Sequence, residues 1–179
     1  DIVRNYRNGL VLLEDINRYA NDNLPGDIIG AICTNRHTDT DIIMHFQSIG
    51  RLTPKIWQNI NWIRFHKNTD DVKKHKKKYE EKYALLSIAE IIVNSQYKAK
   101  NKRYFCYVDI EEQKILGNVT PAMRDHAIER YISLNSKELI DPLLREVNFT
   151  GKEAGKKKYT TDTAYKAVYN ELVEEYFNI

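Results

Sequence analysis

The sequence predicts an α/β protein, with parallel strand–helix–strand units over residues 1–117 and a helical extension over 118–179. Three observations predict it. Two short runs, 9–13 and 42–47, are almost wholly apolar, which suits strands buried on both faces in a parallel sheet. A helical apolar stripe lies between them, with short links on either side. Beyond Gly117 the chain carries helix-start signals and no further strand pattern.

The first run, Gly9-Leu10-Val11-Leu12-Leu13, ends in two adjacent carboxylates, Glu14 and Asp15. Residues 16–26 are polar and close on Pro25-Gly26, which reads as a loop or a short broken helix. Asp27 as N-cap and the stripe Ile28, Ile29, Ala31, Ile32 and Cys33 predict a helix over 27–37, ending near Arg36-His37. Ile42-Ile43-Met44-His45-Phe46-Gln47 is the second central strand. Thr53-Pro54 opens a short helix to about Asn59, and residues 60–65 alternate as a third strand, more exposed on one face. From Asp70 to Lys98 there is no Gly or Pro. One long helix or a bent pair fits, lysine-rich in its first half and apolar-periodic in its second. Residues 103–109 and 113–116 make a hairpin around Glu111-Glu112. Thr120-Pro121 starts a helix to about 133, Ser136 one to about Val147 with Pro142 as a flaw, and a last helix spans 163–177.

Composition bounds the function. Charged residues are 30 % and hydrophobic ones 42 %, a globular balance. The formal net charge is only +3, so any basic surface must be local. Cys33 and Cys106 lie far apart without metal-ligand spacing, as in a reduced, cytoplasmic-type protein. No stretch approaches the roughly 20 apolar residues of a membrane span, and the first residues do not read as a signal peptide.

Open parallel sheets bind ligands beyond the carboxyl ends of their strands, and Glu14 and Asp15 stand at such an end. In nucleoside triphosphatases that place holds the carboxylate that works with magnesium. The plain alternative is a helix start whose acids answer the dipole. Gln47 ends the second strand at the same edge, where it either orients water and senses a γ-phosphate or simply closes the strand. Arg36 either reaches a neighbouring subunit's phosphate or serves as a helix-end cation. Lys73, Lys74, Lys76, Lys77 and Lys78, with His75, form the strongest basic run, suited to phosphate-backbone contact or to a solvated face. A second basic run is Lys98, Lys100, Lys102 and Arg103. Gly151 to Lys157 fails as a phosphate loop, because only three residues separate its glycines and no Ser or Thr follows the lysine.

The order of these pieces resembles the HerA/FtsK superfamily of P-loop ATPases. The likeness is to the viral genome-packaging branch, which includes the zonula occludens toxin-like proteins of filamentous phages. It covers roughly residues 9–117 and is carried by the acid-tipped strand, by Asn35-Arg36-His37 leading to Asp41 through Gln47, and by the hairpin Tyr104–Leu116. The resemblance implies a RecA-like parallel sheet, a homo-oligomeric ring, ATP and Mg2+ as cofactors, and DNA as the translocated partner. It further implies virion or capsid vertex contacts and a location in the host cytoplasm or on the virion. By position it makes Glu14 and Asp15 the magnesium and water-activating pair, Gln47 the γ-phosphate sensor and Arg36 an arginine finger. The family's pair is usually Asp-Glu or Asp-Asp, whereas here it is Glu-Asp. The phosphate-binding loop, upstream of the acid strand in the family, is not in these 179 residues. The expectation is the C-terminal portion of a longer ATPase. The rival expectation is a non-catalytic α/β module that binds DNA or a virion protein through the lysine-rich helix and the C-terminal helices.

Overall fold

A computed structural model of the protein describes residues 6–16, 26–34 and 37–178. The protein is mixed α/β, with a small parallel sheet, an antiparallel sheet and helices. It forms two compact units, Asp1–Asn61 with Asn68–Lys78, and Trp62–Lys67 with Tyr79–Ile179.

In the first unit β1 (Gly9–Leu13) pairs parallel with β2 (Thr40–Met44), joined through α1 (Gly26–Thr34), and Leu13 stands opposite Met44. The expected parallel pairing is present. Burial on both faces is not: the two strands alternate, and Leu10, Leu12 and Ile43 are each about half exposed, at 55 %, 54 % and 51 %. A continuous apolar run marks a strand that can be covered twice, but only one face of this two-stranded ribbon is shielded. Asp27 sits inside the first turn of α1 and not at its cap, where its charge still answers the helix dipole. The predicted last turn, 35–37, reaches into residues outside those described. Thr53 accepts from the Ile56 amide and, with Pro54 in the first turn, starts α2 (Pro54–Trp57) as predicted.

The third strand departs from expectation. β3 (Trp62–His66) does not extend the parallel sheet. It lies antiparallel against β4 (Phe105–Asp109), which continues into β5 (Lys114–Leu116). Alternation in 60–65 marked one buried face and named no partner. The hairpin supplies Cys106 and Val108 opposite Phe65 and Ile63, an apolar layer that closes this sheet. Asp109 fixes the hairpin turn by accepting from the amides of Glu111 and Glu112, both at 2.9 Å.

The stretch 70–98 is not one helix. It runs as a 3₁₀ turn Val72–His75, α3 (Lys76–Tyr79), a second 3₁₀ turn Glu80–Lys82, and then α4 (Tyr83–Lys98). In the polar half only Val72 and Tyr79 are buried, too few anchors for a continuous helix. In α4, Leu85, Leu86, Ile88, Ala89, Ile92 and Val93 are all buried, and the helix packs on the antiparallel sheet and on α5 (Pro121–Leu134). Thr120 caps α5 as predicted. The helix expected from Ser136 divides into α6 (Ser136–Leu139) and α7 (Asp141–Arg145), because Pro142 cannot donate and belongs in a first turn. The last helix, α8 (Thr161–Phe177), opens with a reciprocal Thr160–Thr163 capping box, and Val168, Leu172 and Tyr176 are buried along one side. Lys114 donates to the Glu174 and Glu175 carbonyls, which closes the C-terminal end of α8.

Cys106 is fully buried, and desolvation pushes its thiol up to about 12, whereas Cys33 is exposed. No helix is long and apolar enough to cross a membrane among the described residues.

Candidate functional site

The carboxyl ends of β1 and β2 lie side by side, as parallel pairing requires. The ladder runs one step past the strands: the His45 amide donates to the Leu13 carbonyl at 3.0 Å, and the Ile16 amide donates to His45 at 3.3 Å. Between Leu13 and Ile16 the chain turns at Asp15, whose φ is +49°. This left-handed conformation is one that Asp tolerates better than most residues. Gln47 leaves β2 three residues after its end, so it belongs to the exit loop and not to the strand. Its Nε2 donates to Asp15 Oδ1 at 3.1 Å. Glu14 is exposed, with Oε2 3.6 Å from His45 Nδ1, a distance that makes an ion pair when the imidazole is protonated. Two carboxylates, an amide and an imidazole therefore share one sheet edge, open to solvent. Arg36 lies outside the described residues.

The loop that carries Gln47 is held from behind by Thr69 and Asp70, which the sequence did not single out, and by His75 and Lys78 of the basic run, whose meeting with this loop linear spacing did not show. Thr69 donates to the Gln47 carbonyl at 3.3 Å. The Ser48 hydroxyl donates to Asp70 Oδ2 at 3.1 Å and accepts from the Gly50 amide at 3.1 Å. His75 Nε2 meets the same Asp70 oxygen, and Lys78 donates to the Gly50 carbonyl at 2.8 Å. A Cβ on Gly50 would stand 2.5 Å from both Asp70 Oδ2 and His75 Nε2, so this close approach requires glycine. The one linear signal was a glycine in a polar loop. Asp70 is 22 residues from Ser48, and contact at that separation is decided by the fold.

Hydrogen bonding from His75, then from the Asp71 amide, holds the Asp70 carboxyl down at about 2. The folded value lies below the usual ~3.9 of an unfolded aspartate. Stabilisation by Asp70 is therefore complete above about pH 4 and is lost as pH falls toward 2. The expected result is that amide exchange over Ser48–Arg51 accelerates across that window in the native chain. In Asp70→Asn the same amides exchange faster at neutral pH and show no such acid step. An identical acid step in the variant would assign the effect to another group.

Of the lysine run, Lys73, Lys74, Lys76 and Lys77 are exposed, and Lys78 is partly buried against Gly50. Desolvation lowers the Lys78 ammonium from its ordinary value. Lys78 is thus held by the loop at Gly50, whereas the other four are exposed on the 3₁₀ turn and α3, with Lys74 Nζ 3.7 Å from Asp70 Oδ1. The basic segment 151–158 is pinned by backbone bonds from the Asn148 amide to the Lys156 carbonyl and from the Gly155 amide to the Asn148 carbonyl, and by the Lys158–Glu146 ion pair at 3.1 Å.

Among the described residues no three or more His, Cys, Asp or Glu side chains gather as a metal cage. Magnesium that arrives with phosphates takes only one or two protein carboxylates. Glu14, exposed, and Asp15, with one oxygen engaged by Gln47, fit that lesser demand. Compared with protein-family models, with curated proteins and with solved structures, the chain matches none.

Proposed function

We propose that the chain carries the acid-pair strand and the sensor strand of an ATP-driven DNA translocase. It would be a ring-forming, genome-packaging ATPase with a RecA-like core. The observation that carries this reading is the Gln47–Asp15 hydrogen bond, 3.1 Å, across the paired ends of two parallel strands. Such an amide stands between a carboxylate and the site of a γ-phosphate and can report whether that phosphate is present. Glu14 and Asp15 supply negative charge for a nucleotide-borne Mg2+ and a base for the attacking water, and Arg36 would act on the neighbouring subunit. Bound Mg2+ neutralises the charge that develops on the phosphate oxygens. ATP, DNA, further copies of the chain and a virion or capsid vertex protein are the partners of this reading, in the host cytoplasm or on the virion.

The reading frame upstream of Asp1 tests the reading directly. A GxxxxGK[ST] loop between a strand and a helix there supports it, and a complete frame without that loop overturns it. The exposure of Lys73, Lys74, Lys76 and Lys77 favours a second reading, a non-catalytic module that grips DNA through phosphates. Replacing these four by Ala, with Lys78 kept for Gly50, should then flatten the logarithmic salt slope of DNA binding by up to ~3–4. An unchanged slope reduces the four lysines to a solvated face.

A further inference from the structure

We infer that the outward face of the antiparallel sheet is a stacking platform for single-stranded nucleic acid. Strand alternation sends Ile63, Phe65, Cys106 and Val108 inward and Trp62, Arg64, His66, Phe105 and Tyr107 to the opposite face. In register, His66 stands opposite Phe105 and Arg64 opposite Tyr107. These side chains form a connected aromatic layer. The Arg64 guanidinium lies 3.9 Å from the Phe105 ring centre, His66 is 5.3 Å from Phe105, and Tyr107 meets Phe105 edge-on at 5.4 Å. Trp62 and Tyr107, toward one side of this layer, are 50 % and 39 % exposed, a large π-surface left in water.

The electrostatics select the occupant. No carboxylate occurs from Arg51 to Thr69 or from Ile91 to Val108, while these stretches carry Arg64, Lys67, Lys98, Lys100, Lys102 and Arg103. Asp109, opposite Trp62 at the other end of the sheet, is buried and turned to the Glu111 and Glu112 amides. Antiparallel pairing brings His66 and Lys67 to the end of the sheet where Lys102 and Arg103 lead into β4. A ring-bearing face with a basic border at one end matches a strand of unpaired bases, whose rings stack on aromatics and whose phosphates meet cations. A duplex hides its base faces and cannot use the rings. Binding here needs no nucleotide hydrolysis, so it stands or falls apart from the ATPase reading.

The test uses the 179-residue chain and end-labelled oligothymidine or oligouridine of about 12 nucleotides, read by anisotropy at low salt beside a duplex of equal length. Single strands should bind more tightly than the duplex, and Trp62→Leu and Tyr107→Leu should each weaken them about 10-fold. Leu keeps the face apolar and suited to a strand, and unchanged circular dichroism confirms the fold. The Lys73/Lys74/Lys76/Lys77→Ala variant should retain most of the single-strand preference. Equal binding of duplex and single strands, or full binding by the double Leu variant, overturns the platform. Displacement by poly-glutamate together with indifference to the Leu substitutions also overturns it and assigns the face to acidic polymers at large.

Discussion

On the ATPase reading proposed above, replacing Glu14 by Gln and Asp15 by Asn in an ATPase that carries this chain is expected to cut ATP turnover by about 10²–10⁴-fold, the range that a positioned base contributes. Both substitutions preserve shape. Asn tolerates the φ of +49° at position 15, and its side-chain oxygen can still accept from Gln47. Lost turnover with retained nucleotide binding and ring assembly would then report charge and not collapse of the turn. Asp15→Asn alone should account for much of the loss, because Asp15 is the acid that Gln47 contacts. Glu14 is 71 % exposed, with its carboxylate 3.6 Å from the His45 ring. Unchanged turnover in the double variant would remove both acids from the mechanism.

The largest stability effect is expected at the middle of the second unit. Leu86 is completely buried in α4, the helix that packs on both the antiparallel sheet and α5. Leu86→Ala should cost about 2–5 kcal/mol, the lost transfer energy plus the cavity left behind. At 56 % exposure, Leu134 in α5 is the matched control, and Leu134→Ala should stay within about 0.5 kcal/mol. Urea unfolding followed by the far-ultraviolet signal measures both. A small loss at Leu86 would mean that α4 can collapse onto the vacancy.

Local features were legible where local chemistry decides them. Thr53-Pro54 and Thr120-Pro121 start helices because a hydroxyl accepts from an amide two or three residues on and proline's fixed φ suits a first turn. The hairpin was legible for the same reason, its turn being satisfied by Asp109 within three residues. The Lys-rich first half of 70–98 was harder. High intrinsic helix propensity suggested continuity, whereas the sparse anchors Val72 and Tyr79 leave only separate turns. Of the candidate site, the residue types at the strand ends were readable. The clamp of Thr69, Asp70, His75 and Lys78 behind Gln47 was not.

The sequence by itself determined the places of the strands and of the longer helices to within a few residues, and that two carboxylates follow the first strand, but not the division of 72–82 and 136–145 into short separate turns. Periodicity and capping act over a few residues and leave their mark in order. Only the tertiary structure decided that the third strand joins the hairpin and not the parallel pair, and that the first two strands each bare one face. It also decided that Asp15 turns back through a left-handed conformation to meet Gln47, 32 residues away. Strand partnership and side-chain meetings at that separation depend on which apolar faces can be buried together, a property of the whole chain that no local window contains.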